Sequence, residues 1–294
     1  MNNNYIDLYV AFLKSRLQLK YPLKVVYDCS NGTTSIILKK LFAGVKNLKS
    51  IGINTNLDPN FSAHGPDPWQ KDAMNEIMNR VVREKADLGF IFDGDGDRVF
   101  FIDENGALVK SDSAAYLIRK LFPAPYVIDV RSGRLLRKDK VFISRVGHFF
   151  IKRLMRETKS FFASEESGHY YYKDFFYCDS GILTSIYMMN QVNDLLREGK
   201  SLSSWQNELP RTFRIQETNF KVKNKDALLK KLENKYKLKE KKVDKLDGLF
   251  IDLGSSWFLV RFSNTEPLLR LNAESNEATS LKKLVSEIKL IINS

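Results

Sequence analysis

The chain has 294 residues and a mass of 34.0 kDa, too long for one ordinary domain of roughly 100 to 150 residues and short for four. Hydrophobic residues at 43% and aromatics at 12% suffice to bury real cores, which excludes a mainly disordered chain. A net charge of +12 raises the question of nucleic acid, yet +7 of it lies in residues 219–245, where eleven lysines meet four acids. The basic character is local.

Tyr5, Leu8, Phe12, Leu13 and Leu17 recur at three- and four-residue spacing, which predicts an opening helix that Pro22 ends. Leu23-Lys24-Val25-Val26-Tyr27 predicts a buried strand, followed by the turn Asp28-Cys29-Ser30-Asn31-Gly32 and a helix over 33–42. Polar residues at the carboxyl end of a strand sit where open α/β sheets place ligands. A loop rich in Pro and Gly over 58–68 leads to a predicted helix over 69–85 and a strand over 88–92. The loop 93–98 and a second strand over 99–102 come next, and the same grammar recurs. It gives a helix over 111–121 and strands over 126–130 and 140–144, then a helix over 149–157, a strand over 161–163 and a helix over 181–196. The last part differs, with antiparallel strands over 249–253 and 257–262. A closing helix presents Ala278, Leu281, Leu284, Val285, Ile288 and Ile292 on one face. The expected class is α/β: two consecutive mixed α/β domains over 1–107 and 108–208, then an α+β domain with an antiparallel sheet over 209–294.

Two cysteines, Cys29 and Cys178, do not make a disulfide framework, and a reducing cytoplasm is the expected location. No basic segment followed by an apolar one opens the chain, and no stretch approaches about 18 apolar residues, so neither a secretory signal nor a membrane partner is expected. The lysine stretch has only Phe220 and Tyr236 interleaved. It predicts a solvated helix rather than a nucleic-acid surface.

Three motifs carry chemistry. Asp93-Gly94-Asp95-Gly96-Asp97-Arg98 places three carboxylates in six residues directly after an apolar strand. Such packing is repulsive unless a cation sits among them, and glycines let the backbone curl so that all three face one centre. Oxygen-only ligands point to a hard ion: magnesium, or else manganese or calcium. An EF-hand is rejected, because Arg98 occupies the glycine position and strands flank the loop. Arg261-Phe262-Ser263-Asn264-Thr265-Glu266-Pro267 sets a guanidinium, two hydroxyls and an amide on one loop, a suitable grip for a dianionic phosphate. Ser164-Glu165-Glu166-Ser167-Gly168-His169 can hydrogen-bond sugar hydroxyls, and His169 can move a proton near neutral pH. The three histidines, His64, His148 and His169, all lie on predicted loops beside glycine.

In this order and spacing the three motifs closely resemble those of the α-D-phosphohexomutases, the phosphomannomutase/phosphoglucomutase family, over nearly the whole chain from Pro22 onward. The resemblance implies Mg²⁺ held by Asp93, Asp95 and Asp97, with Arg98 and His169 as catalytic side chains. It implies sugar hydroxyls held by Glu165, Ser167 and His169, and the substrate phosphate held by Arg261, Ser263, Asn264 and Thr265. Arg131 and His148 match substrate-side positions less specifically. Ser164 stands where the family usually has glycine. The family also carries a first domain whose Ser-His-Asn-Pro loop holds the phosphoserine that transfers the phosphoryl group, and no Ser-His or His-Asn-Pro sequence occurs here. The expected function is therefore Mg²⁺-dependent interconversion of hexose 1-phosphate and 6-phosphate, with the serine domain supplied by a separate chain or lost to a split or truncated frame. The isolated chain is then expected to be nearly inactive. The alternative is a non-catalytic protein that binds sugar phosphates.

Overall fold

The opening apolar pattern folds as a helix followed by a β-turn-α unit. In the computed structural model, which describes residues 4–222, 224–237, 241–262 and 268–293, helix α1 (Asn4–Lys14) precedes strand β1 (Leu23–Asp28), helix α2 (Thr34–Phe42) and strand β2 (Leu48–Ile53). β1 is buried almost throughout because it has a partner on each side. β2 has no counterpart in the sequence reading, since it lies at the sheet edge and only Ile53 is fully buried. Helix α3 (Asn75–Glu84) is shorter than expected. Asp72 adopts a left-handed conformation (φ +66°), and the preceding residues form single turns such as Gln70 N–H to Asp67 O, so the helix cannot run back through Asp72.

Strands β3 (Leu88–Phe92) and β4 (Val99–Asp103) form a hairpin, extended by β5 (Leu108–Val109). The sheet order is β2-β1-β3-β4-β5, with β1 parallel to both β2 and β3. The chain leaves β1 toward one side and returns as β3 on the other. The carboxyl ends of β1 and β3 therefore flank the point where strand order reverses, the place where such sheets gather ligands. Residues 28–34 and 93–98 lie there.

Helix α4 (Ser111–Ile118), β6 (Tyr126–Asp129), β7 (Val141–Ser144), α5 (His148–Thr158), β8 (Phe162–Ser164), β9 (Tyr170–Tyr172) and β10 (Cys178–Asp179) follow, then helices α6 (Gly181–Arg197) and α7 (Leu202–Asn207). The second sheet is ordered β10-β9-β8-β6-β7. The third is built from β11 (Phe213–Arg214), β12 (Thr218–Lys221), β13 (Lys242–Asp244), β14 (Leu249–Asp252), β15 (Ser256–Phe262) and β16 (Leu268–Ser275), with helices α8 (Lys225–Tyr236) and α9 (Ala278–Asn293). Its order is β11-β16-β15-β14-β13, all neighbours antiparallel, with β12 also paired to β16. Two mixed α/β sheets followed by an antiparallel α+β region match the expected class. By backbone contacts the chain forms two compact units, one of residues 1–128, 134–142 and 151–209, the other of residues 129–133, 143–150 and 210–294.

The lysine stretch is not simply a solvated helix. Residues 218–221 and 242–244 are strands, and α8 between them buries Leu228, Leu232 and Tyr236 in one core with Ile251, Phe258, Leu271 and Ile288. The four-residue recurrence of those three side chains makes an apolar stripe that the surrounding lysines obscure. Both cysteines are free. Among the described residues, no helix is long and apolar enough to cross a membrane. Leu232→Ala is expected to destabilise the second unit by about 2–5 kcal/mol, whereas replacing the exposed Lys230 by Ala should change it by less than about 0.5 kcal/mol. Urea unfolding of the two variants checks this, and equal effects would contradict the assigned face.

Candidate active site

The loop from Asp93 to Arg98 closes the β3–β4 hairpin beyond the Phe92–Val99 pair. It brings carboxylate oxygens of Asp93, Asp95 and Asp97 within 4.8 Å of one another. Asp93 is buried, Asp97 half-buried and Asp95 exposed. Gly96 has φ +78°, a conformation costly for residues with a side chain. Gly94 sits in a tight spot: a Cβ there would stand 3.0 Å from both the Phe61 ring and Pro66.

Asp93 is engaged through both oxygens. Oδ1 accepts the N–H groups of Gly96 (3.0 Å) and Arg98 (3.1 Å), and Oδ2 accepts Arg98 Nε at 2.6 Å. Burial nevertheless pushes the Asp93 carboxyl up to about 6, with the Arg98 hydrogen bond and charge opposing it. Arg98 Nη1 donates to Asp67 Oδ1 at 3.3 Å. Its Nη2, and the whole Asp95 carboxylate, have no hydrogen-bond partner among the described residues. Three acids this close repel one another strongly at reduced dielectric. Oxygen donors with one carboxylate entirely uncommitted fit a hard divalent cation.

Two loops brace this turn by its backbone. From the β1–α2 connection, Thr33 N–H donates to Gly94 O (3.0 Å), Thr33 Oγ1 to Asp95 O (3.1 Å) and Ser30 Oγ to Phe92 O (2.5 Å). Only glycine fits at position 32, where a Cβ would lie 2.2 Å from Gly94 O. From the 58–68 loop, Pro66 O accepts Gly94 N–H at 2.9 Å. His64 Nε2 lies 3.2 Å from Asp28 Oδ2, and the buried Asp28 also accepts Ser30 N–H and Asn54 Nδ2. The hydrogen bond to Asp28 raises the His64 pKa above the usual imidazole value, outweighing burial.

The second motif meets the first directly. Arg98 and His169 form an antiparallel bridge, and Val99 N–H donates to Gly168 O at 3.2 Å. Gly181 N–H, at the start of α6, donates to Gly96 O at 3.0 Å. His169 Nε2 lies 3.4 Å from Asp97 Oδ1, and its Nδ1 lies 3.0 Å from Ser167 Oγ and 3.8 Å from Glu165 Oε2. Burial alone would lower the His169 pKa. The hydrogen bond to Asp97 and the charges of Asp97, Glu165 and Asp179 outweigh it and hold the pKa above its ordinary value. Glu165 is buried and accepts the Tyr171 hydroxyl at 2.6 Å. Ser164 is buried too, and its Oγ has no partner among the described residues. Beside the open edge of the turn lies a hollow of about 420 Å³ whose walls include Ile6, Tyr9, Ile36, Phe175 and Ile182.

The structure thus gathers Asp93, Asp95, Asp97, Arg98, Glu165, Ser167 and His169 in the first unit. Arg131, His148 and Arg261 belong to the second. There Arg131 donates through Nε (3.0 Å) and Nη2 (2.6 Å) to Asp129 Oδ2. Arg261 Nε donates to Asp247 Oδ2 (3.1 Å), which also accepts Val146 N–H. His148 is exposed at the start of α5. Ser263, Asn264 and Thr265 lie outside the described residues. Asp67, Asp28, Thr33, Tyr171 and Asp247 were not singled out from sequence as supporting groups. Asp28 alone carried a local signal, as a polar residue at the carboxyl end of a predicted strand.

The chain matches the models of phosphoglucomutase/phosphomannomutase α/β/α domain II over residues 3–106, α/β/α domain III over 134–213 and the C-terminal domain over 217–291. It is 36% identical to a phosphomannomutase of Methanocaldococcus jannaschii, covering 98% of this chain and 65% of that one. It is 29% identical to a phosphomannomutase/phosphoglucomutase of Pseudomonas aeruginosa, covering 94% and 62%. A crystal structure of a phosphoglucomutase/phosphomannomutase family protein from Burkholderia thailandensis superposes with a TM-score of 0.86 at 27% identity, over 97% of this chain and 63% of that one. The chain therefore spans slightly less than two thirds of the length of these relatives.

Because the His64 pKa is raised by folding, its contribution to stability is complete below the unfolded value near 6.5 and is lost as pH rises through the folded value. His64→Gln should therefore cost about 1–2 kcal/mol at pH 5.5 and clearly less at pH 8.5, measured as the shift in urea midpoint. A deficit independent of pH would contradict the charged Asp28 contact.

Proposed function

The chain belongs to the phosphoglucomutase/phosphomannomutase family, and from that premise we propose that it is the metal- and sugar-holding portion of a phosphohexomutase. The reaction is interconversion of hexose 1-phosphate and hexose 6-phosphate through an enzyme phosphoserine. The observation that carries this reading is the junction at Arg98 and His169, where the triple-acid turn and the Glu165–Ser167–His169 loop share a backbone bridge.

In this reading Asp93, Asp95 and Asp97 hold Mg²⁺, which when bound neutralises charge on a phosphoryl group in transit. Arg98 offers Nη2, its donor without a protein partner, to a phosphoryl oxygen. Glu165 and Ser167 hydrogen-bond sugar hydroxyls. His169 holds or moves a proton on the imidazole, steered by Asp97 on one ring nitrogen and Ser167 on the other. In the same reading Arg261 with Ser263, Asn264 and Thr265 holds the phosphate that does not react, and Arg131 and His148 make further substrate contacts. A sugar hydroxyl oxygen forms a bond to phosphorus as the serine O–P bond breaks, and the hydroxyl proton passes to a base. The hexose bisphosphate then returns its other phosphoryl group to the serine, so none is consumed.

These 294 residues contain no Ser-His-Asn-Pro sequence. The phosphoserine of this reading resides on a domain outside them, and positioning supplies most of the catalysis of phosphoryl transfer. The purified chain alone should therefore turn over glucose 1-phosphate and mannose 1-phosphate only at background. Adding a separately produced phosphoserine domain of a relative should restore activity, and Asp95→Ala should reduce it about 100-fold or more. Persistent background activity together with tight calorimetric binding of a hexose phosphate would instead mark the chain as a non-catalytic binder.

A further inference from the structure

Arg98 is itself a cation beside a candidate cation site. Its Nε holds Asp93 Oδ2 at 2.6 Å, and the carboxylates of Asp95 and Asp97 lie within 4.8 Å of that of Asp93, within reach of the same guanidinium. A guanidinium settled there would compete with a divalent ion for the same oxygens. The other side of the guanidinium meets Asp67, whose Oδ1 accepts Arg98 Nη1 at 3.3 Å and Trp69 N–H at 3.1 Å.

Asp67 is well placed to hold that group. It lies between Pro66 and Pro68, which fix the backbone on either side and restrict Asp67 itself to extended conformations. Pro66 O takes Gly94 N–H at 2.9 Å, so the segment that carries Asp67 is hydrogen-bonded to the triple-acid turn. Three residues earlier, His64 anchors the same segment to Asp28 at the end of β1. Two fixed donors, Nε and Nη1, define the plane of a rigid guanidinium and leave Nη2 as the donor without a protein partner.

We propose that Asp67 is a positioning residue, which tethers the Arg98 guanidinium through Nη1 so that it stays off the carboxylates that receive the ion. This rests on the metal reading above. Mn²⁺ is the probe, titrated calorimetrically into the intact 294-residue chain at pH 7.5, with Asp67→Asn, Arg98→Gln and the double variant compared. Asp67→Asn should weaken Mn²⁺ binding about fivefold or more in the parent chain and less than about twofold in the Arg98→Gln background. An equal loss in both backgrounds would mean a plain through-space charge effect and would overturn the tether, as would no loss at all. Asp67 is 41% exposed at its side chain, so the amide is compatible with folding, and Asp67→Ser serves as a second variant. A metal-free readout separates the two ideas: the Arg98 Nε–H resonance, assigned by its disappearance in Arg98→Gln, should move or broaden in Asp67→Asn. An unchanged resonance refutes the tether whatever the metal does. A moved resonance with no Mn²⁺ uptake by the parent chain keeps the tether between the two side chains and sinks the metal reading.

Discussion

Mutual repulsion among Asp93, Asp95 and Asp97 is the constraint around which the first unit is organised. Their oxygens stand within 4.8 Å of one another, and at that separation like charges cost several kcal/mol at the effective dielectric of a protein surface. One guanidinium, Arg98, offsets part of this by pairing with the most buried of the three. The exposed Asp95 is left uncommitted, and the fold keeps the turn rigid instead of letting the acids spread apart. Rigidity comes from the backbone. Gly94 donates to Pro66 and accepts from Thr33, Asp95 O accepts Thr33 Oγ1, and Gly96 O accepts Gly181 N–H.

These braces come from segments far apart in sequence, and sheet topology explains why they meet. Strand order reverses between β1 and β3, so the loops leaving their carboxyl ends face each other. The 28–34 loop comes close enough to the acidic turn that position 32 tolerates no Cβ. The β3–β4 hairpin then delivers Arg98 and Val99 to the edge of the Glu165–His169 loop. The triple-acid turn and the Glu165–His169 loop become one surface through backbone contacts. His169 inherits its raised pKa from that junction, since Asp97 belongs to one motif and the imidazole to the other.

What could be read from sequence follows the range of the interactions involved. The clustering of the acidic turn was legible because its three carboxylates fall within five residues and its glycines serve the turn itself. The contacts of Asp67 with Arg98 and of His64 with Asp28 span 31 and 36 residues, and no local pattern announces them. β9 escaped notice because Tyr170, Tyr171 and Tyr172 are all buried, so the alternation that marks a half-exposed strand is missing. The charge count of the lysine stretch hid Leu228, Leu232 and Tyr236, whose four-residue spacing is what gives α8 a core-facing side. The apolar pattern from 69 to 85 suggested a longer helix than forms, because the left-handed Asp72 is invisible to periodicity.

The most direct test is thermal unfolding of the unsubstituted chain as MgCl₂ is raised at constant ionic strength. An ion seated among the three acids binds the folded form alone, so the midpoint must climb with the logarithm of its concentration. It must also stay fixed when Asp95 is replaced by Asn. A midpoint indifferent to magnesium, or one that climbs equally without the Asp95 carboxylate, would contradict the account.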